Sequence, residues 1–317
     1  MAELHSYELI GVKEEVADWI SNLAPTEYPF SAMIGKAKTH NAMFEWQYDT
    51  DAQPDTDNAL IEGTDYGTLD DSFTPTSMLK GYTQILAKVI KVNGTTDAQA
   101  NWGRGKESNY QTNKKSRELK ADLEASFLRN GKAQPEDKAA KVPRKLGGYL
   151  SMVSSTDGGD TVEGDPLTGA VTFKTAAGET PTAEEILAVM TQMWKAGGRP
   201  EILMCNETMS SVISGMQENT SGSRARLFEN TEKITLEVNT ITDPLGQTVK
   251  VVYNRYMPDD TVYIFNPEDW QEMVLRAPRH EPLSKVGDFE RVAIVMEVGL
   301  RHRNPWASGA VVGKLAA

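Results

Sequence analysis

The chain is short of the residues that mark a metalloprotein, a disulfide scaffold or a membrane protein. It has one cysteine, Cys205, so no internal disulfide can form and no cysteine cluster can hold a metal. It has four histidines, His5, His40, His280 and His302, and no two stand at the i, i+4 spacing that puts two imidazoles on one helix face. Each histidine is expected at the surface or in packing. Cys205, inside the apolar run "ILMC", is expected as a buried, inert thiol. No apolar run approaches the roughly 20 residues of a membrane-spanning helix. The opening "MAELHSYELIGVKEEV" is acidic and lacks the apolar core of a secretory signal, so a cytoplasmic setting is expected. No glycine-bounded serine elbow is present. "GRGKES" at 103–108 has the wrong glycine and Lys-Ser spacing for a phosphate loop. "DTDAQPDTDN" matches a calcium loop in composition only, because position six counted from Asp55 is Leu60 rather than glycine. No catalytic residue, cofactor or metal is expected, and the chain reads as a non-enzyme.

Positive charge is missing from one long stretch. From Thr39 to Leu79 there is no Lys or Arg, while Glu45, Asp49, Asp51, Asp55, Asp57, Glu62, Asp65, Asp70 and Asp71 all fall inside it. The overall charge of -12 argues against a protein that grips nucleic acid by neutralising phosphates. Residues 104–145 run the other way, with twelve basic and six acidic side chains and a local net of about +6.

What is present spells an α+β chain of 317 residues, long enough for one large domain or two small ones. Val12, Val16, Trp19, Ile20 and Leu23 form the stripe of an amphipathic helix over 9–23, stopped by Pro25. That helix docks either on its own core or on a neighbouring chain. A brief helical restart follows around Pro29 and Phe30. Ala42, Phe44, Trp46 and Tyr48 alternate with Met43, Glu45 and Gln47, which predicts a half-buried strand. "TQILAKVIKV" (83–92) returns as β, so 41–95 reads as a long β-hairpin with an irregular acidic tip. Leu119, Leu123 and Phe127 repeat every four residues in the longest helix, 106–130, with Gly131 as its stop. "SSTDGGDTVEGDPLTG" reads as a turn-rich loop. Thr182 and Glu185 form a capping box for a helix with Ile186, Met190, Met193 and Trp194 on its apolar stripe. "EILMC" is a strand, and Asn206 caps the helix after it. Further strands are expected at Ile234, Leu236 and Val238, at "TVKVVYN", at "TVYIF" and at "RVAIVMEVGL", where Val292, Ile294, Met296, Val298 and Leu300 share a face.

An exposed hairpin of about 50 residues buries little of itself. It makes sense lying on another copy, its acids near the basic helix of the next subunit. Such a head-to-tail contact closes rings or extends into a lattice. The expected intersubunit residues are Val12, Val16, Trp19, Tyr28 and Phe30 of the arm, Asp49, Asp55, Asp57, Glu62 and Asp65 of the loop, and Lys114, Lys115 and Arg117 of the helix. A basic solvated helix and an acidic mobile loop within a monomer is the alternative.

"GVKEEVADWISNLAPTEYPF" followed by "FEWQYDT" resembles the start of the major capsid (major head) proteins of tailed bacteriophages. Pro25, Pro29, Phe30, Glu45 and Trp46 hold the places of that family's opening block. "RKLGGYLSMV", "NRYMPDDTVYIFNPEDW" and "MEVGLRHRNPWASGAVVGKL" are similar to its later segments. The resemblance implies an N-arm (1–40), an extended loop (41–95), a peripheral domain (96–154) with its spine helix at 104–130, an apical domain (155–260), and C-terminal strands (261–317) completing the last two. It implies hexamers and pentamers in an icosahedral head around double-stranded DNA, assembled in the host cytoplasm. A portal and a cement or decoration protein are implied partners. A separate scaffolding protein, or cleavage that removed a leading scaffolding segment, is expected, and the opening Met1-Ala2 favours the former. Some relatives crosslink through a Lys–Asn bond; a lysine-free loop makes a crosslink at its tip unexpected, with Lys80 at the base. An encapsulin-like nanocompartment shell, of related fold, is the second reading.

Overall fold

A computed structural model describes residues 27–313 apart from 52–53, 67–72, 74, 100–102, 104, 158–159, 170–179, 216–239 and 243–244. The expected helix over 9–23 and the strand at Ile234, Leu236 and Val238 lie outside the described residues. In chain order the elements are α1 (Pro29–Met33), β1 (Gly35–Lys38), β2 (Met43–Tyr48), β3 (Ser77–Tyr82), β4 (Gln84–Asn93), α2 (Gly94–Ala98) and α3 (Glu107–Arg129). Then come β5 (Ser155–Asp157), β6 (Asp160–Val162), α4 (Ala183–Lys195), β7 (Ile202–Cys205), α5 (Ser210–Gly215), β8 (Thr240–Thr242) and β9 (Thr248–Tyr253). β10 (Thr261–Phe265), β11 (Trp270–Pro282), β12 (Phe289–His302) and β13 (Gly309–Val312) close the chain.

Five strands form a mixed sheet in the order β13-β10-β7-β9-β8, with β7 and β9 parallel and the other pairs antiparallel. β7, β10 and β13 are buried on both sides, β9 on one, and alternation sorts their residues by face. Val262 and Ile264 of β10, with Leu203, Cys205, Val249 and Val251, pack against Ile186, Met190 and Met193 of α4 and Ile213 of α5. Helix α4 starts where the capping box places it: the Thr182 hydroxyl accepts from the Glu185 N–H, and the Glu185 carboxylate accepts from the Thr182 N–H at 2.7 Å. Trp194, expected on the stripe, lies at its margin and is 52% exposed.

Tyr263 and Phe265 face the other way, into an aromatic cluster. Tyr149 stacks on Tyr263 at 4.0 Å and on Trp270 at 4.5 Å, and Trp270 stacks on His302 at 4.1 Å. Helix α3 reaches this cluster through Phe127. Leu119, Leu123 and Phe127 are buried as their spacing predicts, joined by Glu124 and Leu128. Gly131 does not take the positive φ of a helix-ending glycine. The turn is held instead by Asn130, whose side-chain amide donates to the Leu146 carbonyl at 3.1 Å, and by the Gly148 N–H on the Gly131 carbonyl. Gly148 is where the backbone needs glycine: an added Cβ would lie 2.0 Å from the Asn130 carbonyl oxygen.

The second sheet has the order β1-β11-β12-β4, with β1 parallel to β11. The hairpin is separate from it. β2 pairs antiparallel with β3, from Met43 opposite Tyr82 to Tyr48 opposite Ser77. Its return limb is therefore 77–82, and the expectation that 83–92 plays that part is corrected: β4 pairs in the other sheet. Phe44, Trp46 and Tyr48 are buried on one face with Leu79, Met273 and Ala37. The stretch 155–162, expected as loop, contains the short β5–β6 ladder.

By contacts the described residues form two units. One comprises Ala87–Lys120 and Pro278–Val295; the other comprises Tyr28–Leu86, Ala121–Ala277 and Met296 onward. α3, β4, β11 and β12 contribute residues to both.

Candidate functional site

Three features were expected to meet other copies: the arm, the acidic loop and the basic helix. Val12, Val16 and Trp19 lie outside the described residues. At the arm's exit, Pro29 begins α1, a position where a missing N–H does no harm. The next two N–H groups turn inward. Those of Phe30 and Ser31 donate to the two oxygens of Glu124 at 2.7 and 2.9 Å, and Asn254 donates to the same carboxylate at 2.8 Å. Glu124 is fully buried, and these three donors replace the water it has lost. Phe30 is then driven into the aromatic cluster, 5.3 Å from Phe265 and 5.7 Å from Trp270 by ring centroids. It is 0% exposed, so the expectation that Phe30 touches a neighbouring subunit is corrected: its surface is spent inside its own chain. Tyr28 is half-buried and stacks on Tyr256.

The loop presents the opposite picture. Asp49, Asp55, Asp57, Glu62 and Asp65 are all exposed. Asp55 accepts from the Asp57 N–H and Thr64 donates to the Ile61 carbonyl, bonds that fold single turns. Beside these acids stand large apolar side chains: Leu60 is 48% exposed, Ile61 85%, Tyr66 77% and Phe73 86%. The hairpin's outer face adds exposed Met43 and Met78, with Lys80 paired to Glu45 across the strands at 2.9 Å. That pair holds the Lys80 ammonium above its ordinary pKa.

On α3, Lys114 is exposed, while Lys115 and Arg117 are half-buried. Lys115 bonds Glu118 one turn along at 2.6 Å and keeps that carboxyl below the usual range. Lys114, exposed on the helix, is thus a better candidate than Lys115 for an acid on another chain.

Residues with catalytic potential are arranged for packing. Burial pushes the Cys205 thiol up to about 12, far from a thiolate at neutral pH. His302 is fully buried and bonded to the Met152 carbonyl and Ser308, and His40 and His280 are exposed. Among the described residues no group of three or more His, Cys, Asp or Glu stands close enough to hold a metal ion. An open depression of about 530 Å³ is lined by Asn206, Glu207, Ser210, Tyr253, Asn254 and Arg255, and the Ser210 hydroxyl there donates to the Glu207 carbonyl at 2.7 Å. Two buried carboxylates, Glu124 and Glu297, and the half-buried Arg144 that meets Glu297, escaped sequence reasoning. Only Glu124 left a trace, lying beside Leu123 on the buried side of α3.

The family model of the SU10 major capsid protein matches residues 4–314 of the chain. The major capsid protein of Escherichia phage Phieco32 is 40% identical, over 98% of each chain. Among solved structures, the capsid asymmetric unit of cyanophage A-1(L) superposes with a TM-score of 0.65 at 11% identity, covering 98% of both chains. The SrpI encapsulin of Synechococcus elongatus gives 0.59 at 7% identity, covering 100% of this chain and 99% of that one. At such identities these two show likeness of fold alone.

Proposed function

The chain belongs to the family of the SU10 major capsid protein, and from that premise we propose how it builds its shell. It is a structural protein of the phage virion, not an enzyme, and works by assembling with copies of itself. The encapsulin likeness is one of fold at 7% identity and does not compete with a 40% identical phage relative.

The acidic loop is the reaching element. It carries Leu60, Ile61, Tyr66 and Phe73 into solvent, an apolar surface that a lone subunit has no use for. This observation carries the reading. On a neighbouring copy those side chains are buried, and each adds roughly 1.5–3 kcal/mol when fully covered. Asp55, Asp57, Glu62 and Asp65 meet the basic face of α3 of that copy, with Lys114 the most exposed of its three cations Lys114, Lys115 and Arg117. Exposed ion pairs contribute about 0–1 kcal/mol each, so their part is to set register and reject wrong contacts. The arm, with Val12, Val16 and Trp19, supplies a second apolar contact beyond Tyr28.

Repeated around rings, this contact gives hexamers and pentamers and so an icosahedral head. The head encloses double-stranded DNA without reading its sequence, which suits a subunit of net charge -12. It assembles in the host cytoplasm on a separate scaffolding protein, with a portal and a cement or decoration protein as further partners. The layout in this reading is an N-arm over 1–40, an extended loop from 41 to the end of β3 at 82, a peripheral domain with α3 as its spine, an apical domain over 155–260, and C-terminal strands over 261–317. Deleting residues 50–75 is expected to leave the far-ultraviolet spectrum and melting of the body near wild type and to abolish shells in electron micrographs. Intact shells from that deletion would refute the loop's role.

A further inference from the structure

Charge is buried at the place where the hairpin joins the body. β3 ends at Tyr82 and β4 begins at Gln84, so Thr83 is where the chain passes from the hairpin ladder to the four-stranded sheet. Thr83 is fully buried. Its N–H donates to the carbonyl of Ala42, the residue before β2, at 2.9 Å, so the two limbs are tied at one level. Its carbonyl accepts from Arg144 Nε at 2.6 Å, and its hydroxyl donates to Glu297 Oε1 at 2.9 Å.

Glu297, on β12, is 4% exposed. Its Oε1 also receives Arg144 Nη2, and its Oε2 receives Arg276 Nε at 2.7 Å. Arg144 therefore holds the Thr83 backbone and the carboxylate together. Two residues along β12, on the same face as Glu297, lies Gly299. The Phe44 ring rests on it: a Cβ there would be 2.6 Å from Phe44 Cε1. Gly81, opposite Phe44 in the ladder, is covered by the same ring, with 2.7 Å left for a Cβ. The hairpin root is thus a ring seated between two glycines, with a charged lock beside it.

A buried carboxylate between two guanidiniums is poor value as net stability, because desolvation offsets most of the attraction. What it does supply is a single arrangement: the Glu297 carboxylate left without its arginines would be an uncompensated buried charge. We propose that the Arg144–Glu297–Arg276 cluster, closed on Thr83, is a hinge pin that fixes the direction in which the hairpin leaves the body and so presents the loop at a set angle to a second copy of this chain. The proposal rests on the reading of the loop as the reaching element.

The test uses the full-length chain as unassembled subunits and as shells. Glu297→Gln keeps the side chain's shape and one acceptor but removes the charge between the arginines. In subunits, amide hydrogen exchange in β2 and β3 is expected to speed up at least tenfold, with β7 and β10 changed less than twofold. Thr83→Val removes only the hydroxyl link and is expected to act in the same direction, by a few-fold; it carries the test should Glu297→Gln not fold. In shells, Glu297→Gln is expected to broaden the distribution of diameters. Unchanged exchange in β2 and β3, or an equal rise in all strands, overturns the pin. Normal shells from Glu297→Gln beside failed assembly of the 50–75 deletion also overturn it. Shells from the deletion itself overturn the loop reading and leave the exchange result standing.

Discussion

His302 and Phe30 are both residues whose environment is fixed by neighbours far along the chain. The His302 Nδ1 faces the Met152 carbonyl at 3.0 Å, and a carbonyl can only accept, so that nitrogen carries the proton. Nε2 then accepts from the Ser308 hydroxyl at 2.9 Å, which itself accepts from the Trp270 indole N–H at 3.0 Å. The ring is neutral, and burial lowers its pKa from an ordinary 6.5 to about 4. The unfolded chain takes up a proton near the ordinary value, whereas the folded chain resists until about 4. Stability is therefore whole above that ordinary value and declines as pH falls through the window, by up to about 1.4 kcal/mol per pH unit. Urea midpoints are expected to drop between pH 7 and pH 4.5, and a His302→Asn chain to show a flatter dependence. Phe30 was legible as a special residue but not as a core one. A terminal apolar residue looks the same in sequence whether it serves its own chain or another. The deciding partner, Glu124, stands 94 positions away.

Elements were legible where local physics suffices. β2 alternates because one face is buried, and α4 begins at its capping box because both reciprocal bonds lie within one turn. β3 was missed because Gly81 weakens its pattern, and that glycine exists because the Phe44 ring occupies the space of its side chain. β11 was missed too: Arg276, Pro278, Arg279 and Pro282 interrupt any apolar rhythm, and its residues 277–280 are exposed. The hairpin lock was invisible, since Thr83 and Glu297 are 214 positions apart. Helix α3 yields a test at this scale. Reversing Lys114, Lys115 and Arg117 to Glu is expected to leave helix content intact. The protein concentration needed for shells should rise roughly tenfold, since surface ion pairs supply at most about 1 kcal/mol each. DNA retention should suffer less. Reversal of Lys115 also breaks its bond to Glu118, so the Lys114 reversal alone is the cleaner comparison.

At the scale of the whole subunit, a net charge of -12 sets copies against one another before any specific contact forms. Apolar contacts drive closure and long-range repulsion opposes it. Raising salt from about 0.01 M to about 0.15 M shortens the screening length from roughly 30 to 8 Å. Light scattering is therefore expected to show shells forming at lower protein concentration across that range. The opposite trend would mean that loop–helix ion pairs, rather than apolar burial, carry the assembly free energy.

The loop's one-sided chemistry also decides which proteases can see it. Exposed, self-contained turns are where free subunits are nicked first, yet trypsin finds no cleavage site from Thr39 to Leu79. Chymotrypsin, by contrast, meets Leu60, Tyr66 and Phe73 in the open. Unassembled subunits should thus survive trypsin at this segment while chymotrypsin cuts it within minutes, and that cleavage should vanish once neighbours cover the loop. The difference between the two digests becomes a gauge of how many subunits have found their place in a shell.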